Sequence, residues 1–278
     1  MVRIISDTST LYSSMEAQEA GFAVAPLSVH IGGNSYREFD EISAENFVAI
    51  IHEGHMPKSS QPAIGEVLAL YENFPGEEIL NISMADGLSG TYASAVSAAE
   101  LCEGTQKITV MNSRTLCGPH RYLVENAVKM ANAGAALEMI VQRTEELMET
   151  AKSYLIPADF AYLRRGGRLS PLVSYVGQAT QFAPILTQTE GGEKLTIASV
   201  RRSFLHAIKY VAKALQERCA GEGWRIYISH ADARQMAEKA QSLLTEVLPQ
   251  AYYEILPLSP AFITQGGPGC VAIQVIQS

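Results

Sequence analysis

Short apolar runs alternate with stretches of helical periodicity along this chain, and that alternation limits its fold more than any other feature. VRIISD, GFAVAPLSVHI, EEILNISM and KITVMN are brief and rich in Val and Ile, as strands are. Between them, ISAENFVAIIHEG and IGEVLALYENF repeat apolar residues at helical spacing, and a long helical stretch runs from His120 to about Ala151, broken at Gly134. A parallel strand pair needs a crossover long enough to hold a helix, so this order predicts an α/β protein with mainly parallel sheets. The second half resumes with the strand SYLIPAD, a glycine-basic turn and a predicted helix near PLVSYVGQAT. QFAPILTQTEGGEKLTIASV reads as a hairpin turning at Gly191 and Gly192. A helix over 203–219, the strand RIYISHA, a helix over 234–248 and the strand YYEILPL follow, then the glycine turn GGPG and the strand CVAIQVI. With 278 residues, 47% of them hydrophobic, the chain can bury a large core. We expect two closely packed α/β domains, 1–153 and 154–278, with no repeat and no flexible linker between them.

Charge and cysteine usage narrow the function classes. The formal net charge is −8 and no Lys/Arg run occurs, which argues against nucleic acid as a partner. MVRIISD enters a strand at once, without a signal-peptide layout, and no apolar run has the length of a membrane span. Stable membrane insertion is therefore not expected. Cys102, Cys117, Cys219 and Cys270 are scattered and make neither a CxxC pair nor a zinc spacing. Reduced thiols, a cytoplasmic location and no metal or other cofactor are the expectations.

Ligands of open α/β sheets bind beyond the carboxyl ends of the strands, and several polar turns fall there. SMADGLSGTYASA, over 83–95, leads from a strand into a helix through Gly87, Ser89, Gly90 and Thr91. A helix N-terminus leaves backbone N–H groups unpaired and favours negative charge, so this turn suits a carboxylate or phosphate. Ser89 as a simple helix cap needs no ligand and is an equally good account of the segment alone. KSSQP places Ser59 and Ser60 ahead of Pro62, either as ligand donors or as a capping turn. Asp7-Thr8-Ser9-Thr10 ends the first strand, at the rim or as a plain turn. LRRGGRLS offers Arg168, whose guanidinium fork fits carboxylate or phosphate oxygens, or else a helix cap followed by a solvated arginine. Arg201 ends the hairpin.

SDTST, KSSQP, ISMADGLSGTY, LRRGGRLS and the late GGPG stand in the order and spacing of one family, and across almost its whole length the chain resembles the DegV proteins. The resemblance implies two α/β domains with a long-chain fatty acid held between them. It also implies a non-enzymatic role in bacterial phospholipid metabolism, as the fatty-acid-binding subunit of a fatty acid kinase system. There the acyl carboxylate is presented to a separate kinase, which phosphorylates it from ATP. Matched to the motifs, Ser59 and Ser89 hold the carboxylate, Arg168 lies near the head group and Arg201 faces the kinase. With the polar turns, the ligand-binding candidates are Ser59, Ser60, Ser89, Gly90, Thr91, Arg168 and Gln265, with no catalytic residue. Ser59 stands where many members have threonine, which keeps the hydroxyl. Gln265 stands where many have histidine; glutamine can hydrogen-bond an oxygen but cannot become cationic. A fatty acid carrier without a kinase role is therefore an alternative.

A serine hydrolase is the competing class. Gly87-Leu88-Ser89-Gly90-Thr91 approaches GxSxG but ends in threonine, and Asp159 with His230 supplies the acid and base in the required order. No GxGxxG or GxxxxGK[ST] pattern supports a nucleotide site.

Overall fold

The computed structural model describes residues 1–170, 182–219 and 223–278. The chain begins with β1 (Val2–Asp7), α1 (Ser14–Glu19), β2 (Ala23–Ala25), β3 (Ser28–Ile31), β4 (Asn34–Arg37), α2 (Ala44–His52) and β5 (Lys58–Ser60). It continues through α3 (Ile64–Glu72), β6 (Glu78–Ser83), α4 (Thr91–Leu101), β7 (Lys107–Asn112), α5 (Cys117–Asn132) and α6 (Leu137–Met148). Then come β8 (Lys152–Ile156), α7 (Phe160–Gly166), β9 (Ala183–Gln188), β10 (Leu195–Arg201), α8 (Phe204–Arg218) and β11 (Trp224–His230). The last elements are α9 (Arg234–Val247), β12 (Tyr252–Pro257), α10 (Pro260–Gly266) and β13 (Val271–Gln277). The predicted helix near PLVSYVGQAT lies outside the described residues.

The first sheet has the order β2-β1-β6-β7, and every neighbouring pair is parallel. Its central strands are apolar on both faces because both are covered. Ile4, Leu80 and Ile82 pack on α5 and α6 through Val124, Val128 and Ile140. Ile5 and Ile79 pack on α3 and α4 through Val67, Tyr71 and Ala98. The long helical stretch breaks where expected, at Gly134, whose φ of +80° ends α5. GFAVAPLSVHI, read as one strand, is divided at Pro26 and Leu27 into β2 and β3. That division starts a small antiparallel sheet, β4-β3-β5, in which Ser59 faces Val29 and Ser60 faces Ser28 across the ladder. Neither β4 (NSYR) nor β5 (KSS) carries an apolar alternation, so neither was foreseeable as a strand.

The second sheet has the order β10-β9-β8-β13-β11-β12. Here the expectation of mainly parallel pairing does not hold. β11 and β12 run parallel, while the other neighbours are antiparallel. The β9–β10 hairpin needs only the tight turn at Gly191 and Gly192, and β13 comes back against β8 and β11 after the glycine turn. One face is buried under α8 and α9, with Ile226, Ile228, Ile273 and Val275 against Val211, Leu215 and Leu244. The other face turns towards the first half of the chain. A shared core joins Leu27, Val29, Met84 and Leu88 to Tyr227, Leu256, Leu258 and Ile263. Among the described residues, no helix is long and apolar enough to cross a membrane, and no cluster of side chains is suited to hold a metal ion.

Candidate functional site

The inner face of the second sheet does not close fully on the first half. A cavity of about 120 Å³ remains, inside a cleft of about 1000 Å³ that includes its open mouth. Its walls are largely aliphatic: Leu27, Met84 and Leu88 from one side, Leu155, Leu186 and Leu258 from the other. Cys117 and Cys270 add to this apolar wall as neutral thiols. Burial pushes Cys117 well up, and Cys270 up to about 12.

One group of polar residues in its wall is linked by contacts, from Ser59 through Gln265 and Gly166 to Arg168 and Leu88. Edge strand β5 brings Ser59 and Ser60 to this wall, and the last turn of α10 brings Gln265. Gln265 Nε2 donates to Ser59 Oγ at 3.1 Å, while its Oε1 is buried with no hydrogen-bond partner. Ser60 Oγ pairs with His30 Nε2 at 3.0 Å. Ser89 lies just ahead of α4, with its Oγ 2.8 Å from Thr91 Oγ1 and accepting the Thr91 N–H at 3.3 Å. Helix α7 ends at Gly167, whose φ of +70° turns the chain so that Arg168 reaches across the cleft. Its Nε donates to Leu88 O at 3.1 Å, and Nη1 donates to Gly166 O. A guanidinium from one half is thereby tied to the backbone beside Ser89 in the other.

Protein approaches closely at two glycines of this region. A Cβ on Gly87 would lie 2.2 Å from Glu193 Cα in the hairpin turn, and one on Gly90 would lie 2.7 Å from the Gln61 amide. The β9–β10 hairpin is therefore seated directly on the GLSG turn. Gln188 Nε2, donating to Arg114 O at 3.1 Å, holds it on the same side.

Ser59, Ser60, Ser89, Arg168 and Gln265 all line the cavity, whereas Gly90 and Thr91 do not. Thr91 is buried in the first turn of α4 behind Ser89. Arg201 lies away from the cavity at the end of β10, its guanidinium 4.6 Å from the Tyr210 ring centre. The Asp7–Thr10 turn, expected at the rim, is buried behind it. Asp7 accepts N–H groups from Ser9 and Met84, and Ser9 Oγ sits 2.6 Å from His120 Nδ1. The hydrolase residues have separate local partners: Asp159 caps Ala161 N–H, His230 Nδ1 accepts Ala233 N–H, and Ser89 pairs with Thr91. Desolvation lowers the pKa of His230. Further polar residues of the wall, among them Ser153, Thr187, Gln188 and Gln274, were not anticipated. Gln274 had a signal: it is the one polar residue inside the apolar run CVAIQVI.

Fold and cavity together define the class: two packed α/β sheets with a largely apolar space between them, lined in part by hydroxyls, amides and a guanidinium. The chain belongs to the DegV family, described as an uncharacterised protein family, whose model matches residues 1–278. A DegV domain-containing protein of Listeria monocytogenes is 28% identical over 277 residues, covering 98% of this chain and 97% of that one. One from Staphylococcus aureus is 27% identical, covering 99% and 98%. Among solved structures, DegV from Bacillus subtilis, described as a fatty acid binding protein, superposes with a TM-score of 0.89 at 24% identity, covering 100% of this chain and 99% of that one. A DegV family protein from Eubacterium eligens, loaded with heptadecanoic acid, superposes with a TM-score of 0.87 at 18% identity, covering all of both chains. At these identities the superpositions establish the fold.

Proposed function

We propose that this protein binds a long-chain fatty acid between two domains divided near Ser153. The tail lies along the aliphatic walls, and the carboxylate meets Ser59, Ser89, Gln265 and Arg168. The observation that carries this reading is the make-up of the cavity, with largely aliphatic walls and a group of hydrogen-bonding residues that includes Ser59, Gln265 and the cation Arg168, linked by their own contacts. A tail with ~15 buried methylenes gains roughly 12 kcal/mol gross, at about 0.8 kcal/mol each. Association and ordering offset much of that. Each neutral hydrogen bond adds about 1 kcal/mol, so the tail sets affinity and the polar end sets orientation. The fatty acid named for the Eubacterium eligens relative is the same class of ligand.

Mass spectrometry of an organic extract of the purified protein tests the reading. A long-chain fatty acid is expected in the extract. A clean extract, combined with no uptake of labelled palmitate or oleate in excess, overturns it.

In the finer reading, the bound carboxylate is presented to a separate kinase, with Arg201 at the docking surface. Gln265 favours the carrier alternative. An imidazolium can stabilise developing negative charge at the carboxylate, whereas a neutral amide offers only a dipole. Phosphorylation of the bound lipid by a fatty acid kinase with ATP is therefore expected to be slow, and Gln265→His is expected to raise it. The measurement is acyl phosphate formation at equal lipid occupancy. A fast wild-type rate that Gln265→His leaves unchanged would show the glutamine to be a full substitute.

A further inference from the structure

The cavity has a second polar point besides the head-group residues. Gln274 on β13 and Ser153 on β8 are direct partners across the sheet, and both line the cavity. Cys270 abuts Gly266, the neighbour of Gln265, and Gln274 lies four residues further along the chain. At 3.3–3.4 Å per residue that places Gln274 about 13 Å along the chain from Cys270.

Gln274 is buried and fully used. Its Oε1 accepts Gly118 N–H at 3.3 Å, and its Nε2 donates to Leu116 O and to Ser153 Oγ, each at 2.9 Å. The amide thus fixes the Ser153 hydroxyl as an acceptor on one side. A hydroxyl keeps one proton to donate, and the neighbouring strand does not take it: Thr187 Oγ1 donates to the Ser153 carbonyl at 2.9 Å. Among the described residues no acceptor takes the Ser153 proton, which is left for whatever fills the cavity.

A methylene chain pressed against this hydroxyl would leave a desolvated donor unpaired, which is costly, whereas a ligand oxygen at that point would accept it. We propose that Ser153, oriented by Gln274, recognises an oxygen in the middle of the acyl chain, so that the cavity selects hydroxy or keto long-chain acids over plain ones. This rests on the fatty acid reading given above.

The test is calorimetric titration of the delipidated full-length protein with octadecanoic acid and with the series of its mid-chain monohydroxy derivatives. One added hydrogen bond corresponds to about a five- to tenfold tighter Kd for the best-placed hydroxy acid. Ser153→Ala is expected to bring the ratio of the two affinities towards one, and Ser153→Thr to keep it. Equal wild-type affinities for octadecanoic acid and every derivative would overturn the inference and leave the fatty acid reading intact. So would a preference that persists in Ser153→Ala, because the oxygen would then be read elsewhere. If neither kind of acid binds, the inference and the fatty acid reading fall together.

Discussion

Ser59 and Gln265 meet at 3.1 Å although 206 positions separate them in the chain. Through that bond the amide orients a hydroxyl that stands at the proposed carboxylate. Ser59→Ala and Ser89→Ala are each expected to weaken fatty acid binding by on the order of 1–3 kcal/mol, since a buried carboxylate would lack a donor. Titration against the unliganded melting temperature separates this from a loss of fold. Ser89 is the more exposed to that second outcome, because its hydroxyl also accepts the Thr91 N–H. That both serines line the cavity was legible in the sequence, because hydroxyls clustered in polar turns carry their own signal. The pairing with Gln265 was not, because nothing local to GLSGTY or KSSQP says which distant side chain will face them. The neighbours of the glycines around Ser89 were hidden for a related reason. A residue without Cβ announces close approach but not what approaches; Glu193 approaches Gly87 and Gln61 approaches Gly90.

The β9–β10 hairpin was legible from its Gly-Gly turn between alternating flanks, and its seat on Gly87 was not. That seat makes a sharp prediction. Gly87→Ala places a methyl group against the Glu193 backbone, and the hairpin must lift. A loss of about 1–3 kcal/mol in urea unfolding is expected, together with weaker lipid binding, because Leu186 and Leu195 of the hairpin line the cavity. An unchanged unfolding midpoint would mean that the hairpin is not held there. Helix α7 illustrates the opposite difficulty. LRRGGRLS offered either a cap with a solvated arginine or an arginine aimed inward. The chain does part of each: Gly167 caps the helix, and Arg168 turns back to Leu88 O. Local propensity settles the cap, and only the neighbouring half of the protein settles the arginine.

Glu38 ties the two halves together where no motif pointed. It is fully buried, accepting Thr8 Oγ1–H at 2.5 Å and the Ala261 N–H of α10 at 2.9 Å. Burial, with Asp7 and Cys117 as the other ionisable groups facing it, pushes its pKa from 4.5 up to about 7. The folded protein therefore binds this proton more readily than the unfolded chain does. Its contribution to stability is full below pH 4.5 and is lost as the pH rises through about 7. Glu38→Gln cannot ionise, so the stability difference between mildly acidic and mildly alkaline buffer is expected to shrink, by about 3 kcal/mol at most, in chemical denaturation. An unchanged pH profile would sink this account. The order of the second sheet has a consequence for how the protein is made. β13 leaves the ribosome after β8, β9, β10, β11 and β12, yet its place is between β8 and β11. Until it arrives, those two strands each present a bare edge, and the wall bearing Ala272 and Gln274 does not exist. On the fatty acid reading, the cavity is complete only once this one central strand has been inserted.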